Sequence, residues 1–404
     1  ELGDQLLLVG ARGEIRKAAP DREVLGELVD FDRSRMRLHA LGCARESATP
    51  GRLIARSGRW ELRELSAAEL RNPLPALHDG HAEEWREIEP DSTITWRYRT
   101  DDAPTAADPT IQSVVDAIDT TRWFADLSTL ADWDRSSYGP ELALSRAWIE
   151  TRFSGLGLSV SAPAFTMPGP GGGQISVNNV IGQWTGTLFP EQWIIVGGHY
   201  DSRNSSSSST VNTPGAEDNA SGCAGVIELA RVLVGFAPER SILFMCYAGE
   251  EQGLHGSYAH VQSLQASGNL AKVQAVVTMD MIGYSADSQL DAVFESYSTW
   301  IAYLNQFAAA AATYAPELQV TLSTNPFGSD HMPYLQAGKR TLLAIESDYD
   351  AYPWYHNSGD TPAHIGANAQ AMGGAILKTS IAVIAQIAGI NDRIFASGFE
   401  SSAN

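Results

Sequence analysis

The feature that most constrains the fold of this chain is an apolar run that ends in two adjacent carboxylates. Residues 242–248, ILFMCYA, have the composition of a fully buried strand, and Gly249, Glu250 and Glu251 follow at once. Burying one unpaired carboxylate costs free energy, and burying two neighbours costs more. Two glutamates at the end of a core strand therefore indicate a bound cation, a role in a reaction, or both.

Histidines and further carboxylates follow other apolar runs in the same manner. "WIIVGGHYDS" ends in His199 and Asp201, and "VQAVVTMDMIGY" carries Asp280. "NTPGAEDNASG" places Asp218 in a glycine-containing loop, and "AYPWYHNSGD" places His356 in an aromatic loop. Ligand sites of open α/β sheets gather at the carboxyl ends of strands, and this set of side chains suits a divalent metal such as zinc. The pattern therefore predicts a metal site.

Each of these residues alone has an ordinary structural explanation. A single carboxylate at a strand end is most often a helix cap or part of a surface pair, and a single histidine is usually a hydrogen-bonded polar residue. The joint pattern within one domain favours the metal site. Ordinary structural roles are assigned to the remaining histidines: His39, His78, His81, His255, His260 and His364.

The order of the patterns predicts two domains and a tail. Residues 1 to about 100 contain short strand-like runs, "QLLLVGA", "LGELVDFD", "MRLHALG" and "RLIARSGRWELREL", and residues 99–110 have the composition of a linker. From residue 111, helical patterns alternate with apolar runs, which is typical of an α/β domain with a largely parallel sheet. We assign 1–105 to a β-rich N-terminal domain with its linker, 106–392 to the α/β domain and 393–404 to a C-terminal tail.

The element boundaries follow from the same periodicities. Strands are predicted at 158–165, 176–183, 192–198, 241–247, 274–281, 290–294, 318–322 and 341–346. Helices are predicted at 111–120, 141–155, 222–235, 254–266, 297–314 and 367–388. The apolar segment 369–390 approaches the roughly 20 residues of a membrane span. Lys378 and the helical spacing of its isoleucines instead favour a packed helix.

Charge and cysteine content narrow the possible partners and the compartment. The formal net charge of −20 argues against nucleic acid and anionic membranes as partners and fits a soluble, exported protein. Residues 1–105 hold 16 basic and 20 acidic side chains, whereas residues 106–404 hold 12 and 28. Three cysteines exclude a disulfide framework. Cys223 and Cys246 are predicted to be buried thiols, with a bridge between them as the alternative.

The motifs together resemble a known family. "GGHYDS", "PGAEDNASG", "YAGEEQGLHGS", "TMDMIGY" and "YHNSGDT", in this order and spacing, are similar to the dinuclear-zinc aminopeptidases of the bacterial leucyl type, the family-28 metallopeptidases. "VVDAIDTTRWFADLSTLADW" resembles the opening helical region of that family, so the resemblance covers about residues 111–390. It implies a mixed, largely parallel central sheet flanked by helices, of the zinc aminopeptidase/phosphorylase-like type.

The resemblance also implies two Zn²⁺ ions per chain and their ligands. Asp218 would bridge the two ions. His199 and Asp280 would complete one site, and Glu251 and His356 would complete the other. The peptide bond between Asp218 and Asn219 is expected to be cis.

Further roles follow from the same resemblance. Glu250 would be the general base that takes a proton from the bridging water, and Asp201 would orient His199. Tyr355 would polarise the scissile carbonyl, and the substrate's α-amine would bind one of the ions. Independently of the resemblance, Met281 directly follows Asp280 and Tyr355 directly precedes His356, so both are predicted to line a hydrophobic pocket that favours an apolar first residue of the substrate.

The predicted function is therefore a zinc aminopeptidase that hydrolyses the first peptide bond of peptides. A glutaminyl cyclase of the same fold remains an alternative, although such relatives lack the first histidine, which is present here as His199. A carboxypeptidase-type relative and a non-catalytic receptor or scaffold are further alternatives. The tail "DRIFASGFESS" resembles short tails of exported bacterial proteins, so a secreted or periplasmic location is expected. Residues 1–105 are predicted to act as an intramolecular inhibitor until the linker is cut, and an accessory domain that faces away from the site is the alternative.

Overall fold

The computed structural model describes residues 1–3, 5–8, 15, 17, 32–41, 49–71, 85–98, 106–204 and 208–391 of the 404-residue chain. The predicted run "LGELVDFD", most of the linker and the C-terminal tail lie largely or wholly outside these residues. Within the described residues, five strands precede residue 106: β1 (Met36–Ala40), β2 (Arg52–Ser57), β3 (Trp60–Glu64), β4 (Trp85–Glu87) and β5 (Thr95–Arg97).

The first four strands form a small antiparallel sheet, here called the N-terminal sheet, with the order β2-β3-β1-β4. Its alternating apolar residues, among them Leu38, Trp60 and Leu62, form one buried cluster. The fifth strand, β5, does not belong to this sheet. It pairs instead with the edge strand of a larger sheet formed by the residues after 106. The predicted β-rich N-terminal region is therefore present, and its last strand extends the sheet of the following domain.

The remaining strands belong mainly to one large mixed sheet. They are β6 (Ser159–Ser161), β7 (Ala164–Pro168), β8 (Gln174–Asn178), β9 (Val180–Trp184), β10 (Phe189–His199), β11 (Ala237–Pro238), β12 (Arg240–Tyr247), β13 (Val273–Met279), β14 (Leu290–Glu295), β15 (Leu318–Ser323), β16 (Thr341–Glu346) and β17 (Ile390–Asn391). The nine-stranded sheet has the order β5-β15-β14-β16-β13-β10-β12-β9-β6. Its central strands β12, β10, β13 and β16 are parallel, which confirms the predicted fold class.

Helices cover both faces of this sheet. They are α1 (Pro109–Asp116), α2 (Thr120–Leu130), α3 (Leu142–Gly155), α4 (Ser221–Leu233), α5 (His255–Ala266), α6 (Ile301–Tyr314), α7 (His331–Gln336) and α8 (Ala369–Ala388). Along β10, Ile194 and Val196 belong to the larger core cluster, whereas Ile195 belongs to a second cluster on the opposite face. Burial on both faces explains why the central strands are continuous apolar runs rather than alternating ones.

The C-terminal helix α8 is a core helix, as predicted. Among the described residues it is the one helix long and apolar enough to cross a membrane by length and composition, yet 78% of its apolar window is buried inside the protein. Cys223 and Cys246 are buried thiols and form no disulfide with each other, which confirms the main prediction for these two residues.

Several element boundaries differ from the prediction for local reasons. The strand predicted at 158–165 is divided into β6 and β7, because Pro163 lies between them and cannot donate a backbone hydrogen bond. The predicted linker 99–110 ends too late, since α1 begins at Pro109 with Asp108 as its N-cap. The short helix α7 was not predicted, because its six residues are too few to show a helical period.

Candidate metal centre

Three parallel strands bring two predicted ligands and the predicted base to one edge of the sheet. His199 is the last residue of β10, Glu250 lies three residues beyond β12, and Asp280 follows β13 directly. His199 Nε2 lies 3.3 Å from Asp280 Oδ1 and 3.8 Å from Glu250 Oε2. All three side chains are buried. The sheet topology thus assembles one half of the predicted centre.

Asp218 lies between the two histidines of the predicted centre. Its loop precedes α4, and the peptide bond between Asp218 and Asn219 is cis, as the family resemblance implies. Asp218 Oδ1 is 3.3 Å from His199 Nε2, whereas Oδ2 is 2.8 Å from His356 Nε2. One carboxylate oxygen faces each histidine, which is the arrangement that a bridging ligand requires.

The second half of the centre contains Glu251 and His356. Glu251 Oε2 lies 3.1 Å from His356 Nε2. The ligand atoms of Asp218, Glu251 and His356 all lie within 4.8 Å of one another. Those of His199, Glu250 and Asp280 satisfy the same limit. The five predicted metal ligands and the predicted base therefore form two adjacent groups of three.

The chemistry of these groups fits a pair of divalent cations. Glu251 Oε1 and Asp280 Oδ1 are buried and accept no hydrogen bond from any residue that the structure describes. A buried carboxylate oxygen without a donor is costly, and a cation removes that cost. Imidazole nitrogens combined with carboxylate oxygens are ligands that zinc accepts. The donor set therefore agrees with the metal site predicted from the sequence.

The charges of the centre also shift the pKa values of its histidines. Burial alone would lower the pKa of His356, but the neighbouring carboxylates of Glu251 and Asp218 raise it to about 10. Burial and the carboxylates oppose each other in the same way at His199, and its pKa is raised well above the usual value. Since a metal ion binds the neutral imidazole, it has to displace these protons, and binding depends on pH.

Asp201 lies behind His199, where the resemblance places it. His199 Nδ1 is 3.1 Å from the backbone oxygen of Asp201, which can only accept, so the protonated Nδ1 leaves Nε2 to face the centre. The Asp201 carboxylate lies 3.5 Å from the same Nδ1. It accepts hydrogen bonds from Ser137 Oγ at 2.8 Å and from the Glu250 backbone nitrogen at 3.3 Å. Asp201 therefore links His199 to the Glu250 backbone.

Three further residues support the ligands, and sequence reasoning missed two of them, Ser137 and Asp360. Ser137 Oγ accepts a hydrogen bond from the Gly249 backbone nitrogen and also contacts Asp201. Ser329 Oγ donates to Asp280 Oδ2 at 2.7 Å, which leaves Oδ1 facing His199. Ser329 belongs to "GSDH", residues 328–331, a segment that the family resemblance places behind the metal ligands.

Asp360 is the third of these residues, and it fixes the loop of Asp218. It accepts hydrogen bonds from the backbone nitrogens of Glu217 at 2.8 Å and Asp218 at 3.0 Å. The Tyr352 hydroxyl donates to it at 2.8 Å. Its place in the motif "YHNSGDT", four residues after His356, was a signal from which a supporting role could have been predicted.

A pocket opens beside the centre. Asp218, Glu250, Asp280 and His356 form its polar wall, and the other lining residues are Arg59, Met281, Gly328, Ile345, Tyr349 and Tyr355. The Tyr355 ring stacks on the His356 ring with centroids 4.1 Å apart. The two residues predicted to bind substrate, Met281 and Tyr355, therefore line the same pocket as the predicted base. Arg59, from the turn between β2 and β3, was not predicted there.

Known proteins with similar sequences are metallopeptidases. A "Probable zinc metalloprotease" of Pyrenophora teres f. teres is 41% identical over 28% of this chain and 24% of its own length. "Aminopeptidase YwaD" of Bacillus subtilis is 28% identical over 46% of this chain and 40% of its own length. The chain thus matches less than half the length of these relatives.

Solved structures share the fold at low sequence identity. The Legionella pneumophila LapA aminopeptidase has a TM-score of 0.58 at 17% identity, over 87% of this chain and 98% of that chain. Residues 106–404 make up less than 87% of the chain. The region similar to LapA therefore also includes part of residues 1–105. A Bacteroides thetaiotaomicron glutaminyl cyclase bound to N-acetylhistamine has a TM-score of 0.55 at 18% identity, over 66% of this chain and 97% of that chain.

The family model of peptidase family M28 matches residues 179–380. This range is half of the chain, and it contains the two groups of three residues that form the candidate metal centre, His199, Asp218, Glu250, Glu251, Asp280 and His356. Because the match covers half of the chain, the chain belongs to peptidase family M28.

Proposed function

We propose that the protein is a zinc-dependent aminopeptidase that hydrolyses the first peptide bond of peptides. The observation that carries this proposal is the position of Asp218, whose two oxygens face His199 and His356 at the wall of the pocket. His199 and Asp280 would hold one zinc ion, and Glu251 and His356 would hold the other. When bound, the two ions supply Lewis acidity that polarises a carbonyl group and makes water more acidic.

Glu250 is assigned the role of general base. Its side chain is buried and lines the pocket, and its backbone is held by the Asp201 carboxylate. A carboxylate fixed at this position can accept a proton from the attacking water and deliver it to the leaving amine. The pocket therefore has a proton carrier at the side where the peptide bond would lie.

Tyr355 is assigned the stabilisation of the carbonyl oxygen. Its ring is stacked on His356 and its side chain lines the same pocket as Glu250. A phenol can donate a hydrogen bond to an oxygen on which negative charge develops, and this interaction is strengthened in a site that excludes water. Stacking on His356 limits the positions that the phenol can take.

The pocket also supports a preference for apolar first residues. Met281, Ile345 and Tyr349 belong to one buried apolar cluster, and all three line the pocket. An aliphatic or aromatic side chain gains free energy when it leaves water for such a surface. The carboxylates of the opposite wall suit a free α-amine, which would place the amino terminus of the peptide at the centre.

A glutaminyl cyclase is a second candidate because the fold is similar to that of the Bacteroides thetaiotaomicron enzyme. The presence of a second group of three ligand-type residues around His199 favours the two-metal aminopeptidase instead. A carboxypeptidase-type relative would differ in the chain end that it recognises. A receptor or scaffold is less well supported, since Glu250 and the metal ligands are all present.

We propose further that the protein is secreted or periplasmic in a bacterium and that its partners are peptides. The similarity of the tail "DRIFASGFESS" to tails of exported bacterial proteins supports the location. The net charge of −20 disfavours nucleic acid and anionic membrane surfaces as partners. Fractionation of the producing cells tests the location, and recovery of the protein only in the cytoplasm would contradict it.

Paired substrates test the activity directly. Leucyl-p-nitroanilide and its N-acetylated form should be compared with and without a zinc chelator. The proposal predicts cleavage of the free-amine substrate alone and its loss on chelation. Cleavage of both forms at comparable rates would indicate a different peptidase, and release of pyroglutamate from an N-terminal glutamine peptide would indicate the cyclase.

A further inference from the structure

One arginine of the N-terminal sheet reaches the candidate metal centre. Arg59 lies in the turn between β2 and β3, and only 4% of its surface is exposed. Its Nη1 donates to Glu295 Oε1 at 2.6 Å and to the Phe327 backbone oxygen at 2.9 Å. Its Nη2 donates to the Gly328 backbone oxygen at 3.3 Å. A single guanidinium thus contacts three residues of the domain that carries the centre.

Glu295 depends on this contact for its charge balance. It lies at the end of β14, is fully buried, forms an ion pair with Arg59 and lies next to the imidazole of His331. Glu295 Oε1 also accepts a hydrogen bond from the Phe327 backbone nitrogen at 3.2 Å. Removing one partner of a buried ion pair leaves an uncompensated charge, which is strongly destabilising. Arg59 therefore binds the backbone carbonyls of residues 327–328, and Glu295 binds the backbone N–H of Phe327.

The segment at 327–328 is followed by a serine that contacts a predicted metal ligand. Ser329 follows Gly328 and donates its hydroxyl hydrogen bond to Asp280 Oδ2 at 2.7 Å. Gly328 has a φ of +48°, a backbone conformation that a side chain would strain, and it lines the pocket together with Arg59. The position of the Ser329 hydroxyl is thus set by backbone whose carbonyl groups are bound by Arg59.

The rest of the interface has the character of a protein core. Phe327 belongs to the buried apolar cluster of the N-terminal sheet, and the Arg59 guanidinium lies 3.9 Å from the centre of its ring. Trp60 Nε1 donates to the Asn325 backbone oxygen at 3.2 Å. The Tyr349 hydroxyl donates to the Leu41 backbone oxygen. Separation of the two parts would expose Phe327 and leave several buried polar groups without partners.

We propose that Arg59 is a positioning residue of the metal centre and that the N-terminal sheet is a constitutive part of the enzyme. Arg59 acts by holding the carbonyls of Phe327 and Gly328, which fixes Ser329 against Asp280. This inference rests on the proposed function, because it takes the bound ion to be zinc. It opposes the removable inhibitor predicted from the sequence, since release of the sheet would remove a support of the centre.

Zinc affinity is the decisive measurement, and Arg59→Met is the principal variant. Competition with a fluorescent zinc chelator should show that Arg59→Met weakens at least one zinc site by about 10–100-fold, the usual effect of removing an outer-shell contact. Arg56→Met is the matched control, because Arg56 pairs with Asp350 across the same interface rather than with the carbonyls of Phe327 and Gly328. The control should bind zinc within about twofold of the wild type.

A double-mutant cycle tests the route through Ser329 and also covers the case in which Arg59→Met does not fold. Arg59→Lys keeps the positive charge near Glu295 but loses the planar fork that binds two carbonyls. Ser329→Ala removes the hydroxyl that contacts Asp280. If Arg59 acts through Ser329, the losses of zinc affinity in Arg59→Lys and Ser329→Ala should not add in the double variant. Wild-type zinc affinity in Arg59→Lys, or simple additivity, would overturn the proposal.

A cleavable chain separates the constitutive role from the inhibitory one. A protease recognition sequence placed within residues 99–105 should yield two fragments that still co-elute in gel filtration, with kcat/KM unchanged. Dissociation of the fragments with a rise in kcat/KM would overturn the proposal and support the inhibitor. Zinc binding is measured without substrate, so an absence of peptidase activity in the wild type would contradict the proposed function and leave the Arg59 result interpretable.

Discussion

Glu250 and Glu251 are neighbours in sequence, yet their carboxylates face different histidines. Glu250 Oε2 lies 3.8 Å from His199 Nε2, whereas Glu251 Oε2 lies 3.1 Å from His356 Nε2. The chain turns sharply here, with Gly249 at a φ of +68°, and both side chains are buried. Two residues of the same type can therefore serve different purposes at one strand end.

The first prediction separates these purposes by the same substitution at each position. Glu250→Gln should retain about two zinc ions per chain while kcat falls by about 10²–10⁴, the usual effect of removing a positioned general base. Glu251→Gln should lose zinc, because an amide is a poorer ligand than a carboxylate. Elemental analysis and steady-state kinetics on the two variants provide the comparison. Equal loss of zinc in both would contradict the assigned roles and make Glu250 a ligand.

The second prediction concerns Asp360, which holds the Asp218 loop through two backbone hydrogen bonds. Asp360→Ala should weaken zinc binding by about 10–100-fold, since the loop that presents Asp218 loses its support. Tyr352→Phe is the matched control, because it removes only the hydroxyl that donates to Asp360. Chelator competition measures both, and a larger effect of Tyr352→Phe would show that the backbone contacts are not the cause.

The site could be predicted from the sequence to the extent that it follows local rules. Apolar runs indicate buried strands, and parallel strands bring their carboxyl ends to one edge, so the residues after three such runs meet. His199 and Asp280 are of this kind. His356 follows no strand directly, and the resemblance supplied its assignment to the second ion as well as the cis peptide bond before Asn219.

Arg59 could not be predicted, because nothing in its local sequence distinguishes it. Arg56 and Arg63 lie within four residues of it in the same strand-rich stretch, and all three would be assigned to a solvated face. Its role depends on contact with Glu295, which is 236 positions away in the chain. Such a pairing follows from how two sheets pack, and neither periodicity nor a motif records it.

The third prediction is a pH dependence of stability that originates at His260. This side chain is buried beside Tyr334, with Nδ1 2.6 Å from the phenol oxygen, and burial lowers its pKa to about 4. An imidazole in the unfolded chain has a pKa near 6.5. Between these values the unfolded state binds more protons than the folded state, so the free energy of unfolding decreases as the pH falls from about 6.5 to about 4.

His260→Gln isolates this contribution, since glutamine can still bond to Tyr334 but does not titrate. Denaturant unfolding of the chelator-treated proteins should show that the stability advantage of the wild type over His260→Gln shrinks by up to about 3 kcal/mol between pH 7 and pH 4. A difference that stays constant over this range would mean that His260 binds its proton equally well in both states.

The last prediction concerns Tyr355, whose ring stacks on His356 at the pocket wall. Tyr355→Phe keeps the ring and its stacking but removes the hydroxyl that would donate to the carbonyl oxygen. Because that interaction strengthens as negative charge develops, its loss should lower kcat by on the order of 10² with little change in KM. Zinc content should remain at about two ions per chain. Tyr314→Phe is a suitable control, since that hydroxyl accepts a hydrogen bond from the Asp108 backbone nitrogen, at the start of a helix outside the pocket. A rise in KM with unchanged kcat would instead place Tyr355 in substrate binding alone, and a loss of zinc would show that its stacking on His356 depends on the hydroxyl.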